Sequence, residues 1–305
     1  MPFDMDFSND GALLACATTS DDQAAAAVRV LRSADGSLVT TFMQSSVTSA
    51  RGIAFVEGGH QLVFLFQRED DSTQLLRASL ESRDPTPLRR YDASARNHSI
   101  IRDRTGARFA VLGNQIEVWD VVSGNVLATI VGDDKDFAVQ ATFSADGSHI
   151  YAYGVERGAV VKYDLQAGRQ VARWAAPTDF GAQVLVTPDE RFLVAAGASY
   201  KGVFIYDLFA GQRLMSDADD VAQFNERTLC TPWVTALDSS LVCCLKLSPW
   251  CFRLPTLSRL SSTQDVAPGA RCLAATWAQE APMIAFGTLE DATVRLFSLV
   301  QEPVL

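Results

Sequence analysis

The sequence ATFSADGSHIYAYGVERGAVVKYDLQAGRQVARW, from Ala141 to Trp174, is followed by a second version of the same pattern. The second version, VLVTPDERFLVAAGASYKGVFIYDLFAGQRLM, runs from Val184 to Met215. In both versions short apolar segments alternate with polar turns, and each segment has the length of one strand. Each copy therefore predicts four consecutive antiparallel strands, and the repetition predicts that this unit is the building block of the chain.

The same pattern can be followed along the whole chain. Seven residues mark the predicted end of each unit's first strand: Phe7, Phe55, Arg102, Phe143, Val186, Phe224 and Trp277. Their mean spacing is about 45 residues, which is typical of a β-propeller blade of four strands. The sequence therefore predicts an all-β fold, a single β-propeller of seven four-stranded blades over residues 1–305. Val221–Leu260 matches the pattern least well, and six blades would result if it formed no sheet.

The two ends of the chain bear on how such a ring would close. FDMDF, from Phe3 to Phe7, has the pattern of the first strand of the first blade. The segment VQEPVL, residues 300–305, would then supply the outer strand of the last blade. In that arrangement the first and last blades exchange no strand, so they would meet through side chains alone.

An aromatic residue followed by Asp ends several predicted third strands. Trp119-Asp120 is followed by Tyr163-Asp164 and Tyr206-Asp207 in later units. On these residues, and on turns such as Ser144-Ala145-Asp146-Gly147, the chain resembles a divergent WD40-repeat protein over essentially its whole length. The resemblance implies a propeller in which the aromatic residue packs between blades and the Asp lies near a tight turn. The family's Gly-His pair is missing, since Gly59-His60 falls in a hairpin turn, so its usual Asp–His–Ser/Thr–Trp network cannot form.

Composition and charge limit the classes of function. The hydrophobic content of 48% with 20% charged residues is ordinary for a globular protein. The net charge of −10 disfavours direct binding of nucleic acid or of anionic membranes, which usually requires a basic face. No basic segment followed by an apolar segment opens the sequence, and no apolar run approaches the roughly 20 residues that span a bilayer. We therefore expect a cytoplasmic protein, with a nuclear location as the alternative.

Residues that could carry catalysis or bind metal are sparse. The three histidines lie far in sequence from the six cysteines, and no Cys-x-x-Cys motif occurs, so the sequence predicts buried free thiols and no zinc site. Two groups of acidic residues lack the distal Glu of a calcium-binding loop: Asp133, Asp134, Asp136, and Asp217, Asp219, Asp220. The prediction is that the protein is not an enzyme and has no catalytic residues, no cofactor and no metal.

Arginines are concentrated between Arg83 and Arg108. We interpret this segment chiefly as a long solvated loop between blades. The alternative is an anion-binding surface, because the guanidinium group pairs with two oxygens of a carboxylate or phosphate.

A scaffold for protein–protein interaction in a multiprotein assembly is the leading prediction of function. The alternatives are a lactonase-like or quinoprotein-like enzyme with a site in the central channel, and a subunit of an RNA-associated particle. In a propeller, loops between second and third strands share a face with the loops that join blades. The predicted partner is a protein with an acidic or phosphorylated segment, bound on that face by residues of the types enriched in interfaces. These residues are Arg89, Arg90, Arg157, Tyr200 and Lys201.

Overall fold

The described part of the protein is built from strands. The computed structural model describes residues 2–18, 26–82, 84–95, 99–131, 140–153, 158–175, 183–196 and 203–214, together with the strands between 233 and 298. These residues form 27 strands and two single-turn 3-10 helices, Glu57–Gly59 and Ala93–Ala95, with no α-helix among them. The strands assemble into six four-stranded sheets and one three-stranded sheet. The predicted all-β class is confirmed.

Each sheet contains strands that are consecutive in sequence and antiparallel. The first sheet contains β1 Pro2–Phe7, β2 Leu13–Thr18, β3 Ala27–Arg32 and β4 Leu38–Met43. The second contains β5 Val47–Val56, β6 Gln61–Arg68, β7 Thr73–Ser79 and β8 Thr86–Tyr91. The third contains β9 Ser99–Arg102, β10 Arg108–Leu112, β11 Gln115–Asp120 and β12 Val126–Val131. The fourth contains β13 Gln140–Phe143, β14 His149–Tyr153, β15 Ala159–Asp164 and β16 Arg169–Ala175.

The remaining sheets continue the series. The fifth contains β17 Gln183–Val186, β18 Phe192–Ala196, β19 Val203–Asp207 and the short β20 Gln212–Arg213. The sixth contains β21 Trp233–Asp238, β22 Leu241–Leu245, β23 Pro249–Arg253 and β24 Ser258–Ser262. The seventh contains β25 Cys272–Trp277, β26 Met283–Thr288 and β27 Val294–Ser298.

Contacts divide the chain into two compact units, residues 1–92 with 272–305, and residues 93–271. In the first unit β1 lies beside both β5 and β25, so the first sheet has the second and seventh sheets as neighbours. In the second unit β13 lies beside β9 and β17, and β17 lies beside β21. Within each unit, neighbouring sheets therefore meet at their first strands. Packing of this kind is compatible with a propeller-like fold.

The core lies between the faces of neighbouring sheets. Strand β6 has five consecutive buried residues, from Leu62 to Phe66, because both of its faces are covered. Phe64 packs against Phe42 of the first sheet, with ring centroids 5.7 Å apart, and against Phe66 at 5.1 Å. The fourth strands are more exposed than the second and third, and β8 and β16 contain mostly exposed residues. The apolar content of each strand thus follows its place in the sheet.

The turn between the first and second strands is stabilised in the same way in three sheets. In the fourth sheet the hydroxyl of Ser144 donates to Asp146 at 2.7 Å and accepts the backbone N–H of His149 at 2.9 Å. Ser8 and Thr187 make the corresponding bonds in the first and fifth sheets. Because Ser, Thr and Asp side chains replace backbone partners in tight turns, a short polar sequence is enough to fix each hairpin.

The Asp that follows the aromatic residue also lies in a turn, as the resemblance implied. Asp164 accepts the backbone N–H groups of Gln166 and Ala167 at 2.9 and 2.8 Å. Asp207 makes the same pair of bonds in the fifth sheet, and Asp120 accepts from Ser123 in the third. These turns are tied by backbone hydrogen bonds to the first turn of the same sheet, so both lie at one end of it.

Most predicted strand ends agree with the structure. β1, β9, β13, β17 and β25 end at the marked residues, and β5 ends one residue after Phe55. β1 pairs with β2, which confirms the N-terminal segment as the first strand of its own sheet. The marker Phe224 lies outside the described residues, and the first described strand of the sixth sheet ends at Asp238. Residues 300–305 also lie outside the described part, as does the predicted role of VQEPVL.

Candidate functional site

The arginine-rich segment is not one loop, so its interpretation as a long solvated loop is wrong. Residues Thr86–Tyr91 form β8, the outer strand of the second sheet, and β9 and the start of β10 also fall within the segment. Arg89 lies opposite Leu75 of β7, and Arg90 lies opposite Gln74. An outer strand pairs with only one neighbouring strand and needs little burial, so a polar sequence can form it. Because of its arginines, this segment was interpreted as a loop.

Arg90 is held at the edge of the second sheet by two polar side chains. Its guanidinium group forms a salt bridge with Asp70, and its Nε donates to the Ser72 hydroxyl at 3.2 Å. The hydroxyl of Ser72 also donates to Asp70, and this bond lowers the pKa of the Asp70 carboxyl. Both charged side chains remain more than half exposed, at 60% and 55%. An exposed pair of this kind stabilises a fold by less than about 1 kcal/mol, so the Asp70 carboxylate is a partner that another anion can replace.

Arg89 has a different environment. Its guanidinium carbon lies 5.3 Å from the centre of the Tyr91 ring, a cation–π contact with an otherwise buried side chain. Successive residues of a strand point to opposite faces, so Arg89 and Arg90 extend to the two sides of β8. The outer strand therefore presents an exposed cationic group on each side of its edge.

The other residues of the predicted docking surface are Arg157, Tyr200 and Lys201. All three lie outside the described residues. The two acidic groups considered for calcium, residues 133–136 and 217–220, also lie outside it.

The described histidines and Cys16 lie in strands or beside turns. His149 opens β14, as predicted, with its Nδ1 2.6 Å from the Ser148 hydroxyl. His60 directly follows the turn Glu57–Gly59. Cys16 is a buried free thiol, as predicted, and burial raises its pKa to about 12. In the ranges that the structure describes, no three His, Cys, Asp or Glu side chains are grouped as metal ligands would be.

A polar and aromatic cluster joins the fourth and fifth sheets, and the sequence analysis missed it. Glu190, in the turn between β17 and β18, accepts from the Tyr151 hydroxyl at 3.2 Å and lies 3.4 Å from Lys162 Nζ. The Lys162 ammonium also lies 5.0 Å from the centre of the Tyr151 ring, and the ring centres of Tyr151 and Trp174 are 5.9 Å apart. The other Glu190 oxygen accepts the backbone N–H of Ala145 at 3.2 Å. One carboxylate thus bonds to three groups of the adjacent sheet.

The electrostatics of this cluster favour a neutral Tyr151 and a charged Lys162. Burial raises the pKa of the Tyr151 hydroxyl. Burial lowers the pKa of Lys162, but Tyr151 and the Glu190 carboxylate together shift it upward. The cluster therefore contains one ion pair and one neutral hydrogen-bond donor at neutral pH, an arrangement that holds two sheets together without proton transfer.

The backbone at Glu190 gives the signal that could have found the cluster. Glu190 has φ of +54°, in the left-handed region, and it occupies the turn position that Gly11 and Gly147 occupy in other sheets. A residue with a side chain costs about 1 kcal/mol or more in this conformation. Glu in place of Gly therefore points to a contact that compensates for strain, and the departure of TPDER from the Gly-containing turns is visible in the sequence.

Two carboxylates, on Asp4 and Asp6, join the first and second sheets. Asp4 accepts the backbone N–H of Ile53 at 3.1 Å, and Asp6 accepts that of Phe55 at 2.8 Å. These acceptors on β1 satisfy donors on the free edge of β5. Burial raises the pKa of Asp4 to about 7, against the lowering effect of its hydrogen bonds.

Comparisons with known proteins add no family to this description. No protein-family model matches the chain, and no curated protein matches its sequence. Where the structure describes the chain, it contains no helix with the length and apolar character needed to cross a bilayer.

Proposed function

We propose that residues 1–305 form one WD40-like propeller of seven blades, which serves as a protein-interaction scaffold and not as an enzyme. The seven sheets of consecutive antiparallel strands support this proposal. So does the position of β1 beside β25, because the first and last sheets of a closed ring must be neighbours. An experimental structure with six sheets, or with two separate rings, would contradict the proposed architecture.

The observation that carries the proposed function is the exposed outer strand β8 with Arg89 and Arg90. Arginine pairs with carboxylate and phosphate through two parallel hydrogen bonds, and it is enriched at the centre of protein interfaces. In a chain with a net charge of −10, two adjacent exposed arginines form a local attraction for an anionic segment. The proposed partner is a protein with an acidic or phosphorylated segment, which binds along β8. Arg157, Tyr200 and Lys201 stay predictions from the sequence.

The test uses binding of defined peptides. The probes are fluorescent peptides of equal length that carry phosphoserine and glutamate, or serine and glutamine, and binding is measured by fluorescence anisotropy. Changing Arg89 and Arg90 together to Glu should weaken binding of the anionic probe by more than tenfold, about 1.4 kcal/mol. The matched control changes Arg169 and Arg173 of β16 to Glu, which alters the net charge equally on another exposed outer strand. Equal losses in both variants would reduce the effect to net charge and reject the Arg89–Arg90 surface.

A substitution of Asp70 should change the affinity for the anionic probe in the opposite direction. Asp70→Asn removes the carboxylate that occupies Arg90, so the anionic probe should bind several-fold more tightly. Asp35→Asn is a suitable control, because that exposed carboxylate lies in the turn before β4 and removes the same charge elsewhere. Weaker or unchanged binding in Asp70→Asn would show that Arg90 does not contact the anion.

A further inference from the structure

Two cysteines of the sixth sheet lie opposite each other in adjacent strands. β22 pairs with β23 in an antiparallel register that places Cys243 directly beside Cys251. The other cysteines in described strands have different register partners: Met5 and Arg29 for Cys16, Val234 and Trp250 for Cys244, and Thr288 for Cys272. In the strands that the structure describes, the register therefore brings one pair of cysteines together.

The backbone hydrogen bonds of the sheets show which type of antiparallel pair this is. In the third sheet Asp120, the last residue of the third strand, donates its backbone N–H to Asn125, towards the fourth strand. In the fifth sheet Ile205, two residues before the end of the third strand, accepts the backbone N–H of Leu214, again towards the fourth strand. Because the direction of these bonds alternates along a strand, the last residue of a third strand and the residue two positions before it both bond towards the fourth strand.

The sixth sheet has the same pairing pattern. Its register shifts at the step from Cys251 to Phe252, two residues before β23 ends at Arg253. In the first, third and fourth sheets the register shifts at the same distance from the end of the third strand. By this correspondence the backbone of Cys251 bonds towards β24 and not towards β22. Cys243 and Cys251 therefore form a non-hydrogen-bonded pair, the type in which the two Cα atoms come closer together.

The separation of such a pair fits a disulfide bond. The Cα atoms of a non-hydrogen-bonded pair are about 4.5 Å apart, and a disulfide spans roughly 4.4–6.8 Å between Cα atoms. A bond between opposite residues of one hairpin closes a short loop, so it adds less stability than a bond between distant segments. Disulfides that add little stability are readily reduced by thiols, so this pair is suited to reversible oxidation.

We propose that Cys243 and Cys251 form a redox pair, which peroxide oxidises to a disulfide and a cellular thiol such as glutathione reduces again. The thiolate of one cysteine attacks hydrogen peroxide, which gives a sulfenic acid and releases hydroxide. The sulfur of the other cysteine then attacks the sulfenic sulfur, and water leaves as the S–S bond forms. In sum, two thiols lose two electrons and two protons, and peroxide becomes two water molecules. Two glutathione thiols return the electrons by thiol–disulfide exchange.

Cys16 takes no part in this chemistry. Burial raises the pKa of its thiol to about 12, so the reactive thiolate is rare at neutral pH. The oxidised pair ties β22 to β23 by a covalent bond and so fixes the hairpin of the sheet whose sequence matches the repeat least well. This gives the chain a response to oxidants that is independent of the anion binding proposed for β8.

The choice between neighbouring cysteines tests the proposal. The full chain is reduced, treated with hydrogen peroxide, alkylated and digested with trypsin, which cleaves after Lys246 and so separates Cys251 from Cys243 and Cys244. Mass spectrometry should find residues 228–246 linked to residues 247–253, with Cys243 favoured over Cys244 by more than about tenfold, because the register decides the partner. Oxidation in urea should remove this preference, since both cysteines are then similarly far from Cys251 along the chain. Dithiothreitol should remove the link itself.

Two variants provide matched controls. Cys243→Ser should lose the linked peptides, whereas Cys244→Ser should keep them. The wild-type measurement requires no substitution, so it decides the question even where a variant fails to fold. A folded wild-type chain that forms no such link, joins Cys251 equally to Cys243 and Cys244, or links two chains instead would overturn the proposal. So would a link to Cys251 that persists in Cys243→Ser.

Discussion

The junction between the third and fourth sheets and the junction between the fourth and fifth use the same turn in two ways. At the first junction Gly147 approaches Asp103 so closely that an added Cβ would lie 3.1 Å from its Oδ2. Arg108 also donates to the Gly147 carbonyl oxygen at 2.7 Å. At the second junction Glu190 occupies the same turn position, and its carboxylate accepts hydrogen bonds from Ala145, Tyr151 and Lys162. The turn keeps its left-handed backbone in both sheets, but a glycine makes the contact at the first junction and a carboxylate side chain makes it at the second.

The largest effect is expected where the backbone itself makes the contact. Gly147→Ala places a methyl group against the Asp103 carboxylate, whose other oxygen is held by Thr105 and the backbone of Ala107. Strain at φ of +69° and this contact together should lower the free energy of unfolding by about 2–4 kcal/mol, measured by urea denaturation. The control is Gly124→Ala, at φ of +66° with open space around it, which should cost about 1 kcal/mol. Equal losses would show that the contact with Asp103 contributes nothing.

At the second junction, two substitutions of Glu190 should differ in how much they lower the free energy of unfolding. Glu190→Ala removes the carboxylate but keeps a strained left-handed residue, and it should destabilise the protein by about 2 kcal/mol. Glu190→Gly removes the same contacts and relieves the strain, so it should cost only about 1 kcal/mol. In the control, Asp71→Gly relieves similar strain at an exposed position with φ of +59°, and it should be neutral or stabilising. If Glu190→Gly destabilises more than Glu190→Ala, strain is not offset by contacts at this turn.

A smaller effect is expected from Lys162. Lys162→Met keeps much of the packing and removes both the ion pair with Glu190 and the cation–π contact with Tyr151. The loss should be about 1 kcal/mol, because the ammonium group is partly exposed. The pKa of Tyr151 should rise further, since Lys162 now opposes the effect of burial on that pKa. Spectrophotometric titration of tyrosine in the variant and the wild-type chain checks this; an unchanged titration would contradict the contact.

The junction between the first and second sheets extends the comparison to pH. Burial raises the pKa of Asp4 from 3.8 to about 7, so the folded chain binds this proton more tightly than the unfolded chain. The contribution of Asp4 to stability is therefore complete below about pH 4 and is lost as the pH rises towards 7. We expect a slope of at most about 1.4 kcal/mol per pH unit from this group, the value for one proton. Urea denaturation between pH 4 and 7 should give a weaker dependence in Asp4→Asn than in the wild-type chain.

Asp35→Asn is the control for that experiment, because the pKa of Asp35 is shifted in the opposite direction. Hydrogen bonds from Ser37 lower the pKa of Asp35, so its contribution is present above the ordinary pKa of 3.8 and is lost as the pH falls below it. A flatter profile for Asp35→Asn between pH 4 and 7 would mean that the assignment to Asp4 is wrong.

The sequence predicted the elements that depend on local chemistry. The strand ends at Phe7, Phe143 and Trp277 follow from a short apolar run beside a polar turn, and such signals need no knowledge of the neighbouring sheets. The family resemblance implied that Asp120, Asp164 and Asp207 lie near tight turns, and these positions also depend on local sequence alone. The sixth unit matched the repeat least well; its marker Phe224 lies outside the described residues, and the first described strand of that sheet is Trp233–Asp238.

The contacts between sheets could not be predicted in the same way. Glu190 meets Tyr151 only after two sheets have packed, so their separation of 39 residues carries no local signal. β8 was missed because TPLRRY has too few apolar residues to resemble a strand, although an outer strand needs few. The docking residues Arg89 and Arg90 were found from charge alone, and the partners Asp70 and Tyr91 that hold them required the structure.

The carboxylates of the turns also change how the protein takes up protons. Seven of them have a lowered pKa, because each accepts hydrogen bonds from side chains or backbone of its own turn: Asp10, Asp35, Asp70, Asp120, Asp146, Asp164 and Asp207. Folding therefore releases protons near pH 4, and Asp4 alone among the shifted Asp residues described takes one up. Near pH 4 the native chain should therefore bind fewer protons than the chain in urea, a difference that potentiometric titration of the two measures. Seven of the 36 acidic side chains thus lie in turns, where the negative charge holds the backbone in place.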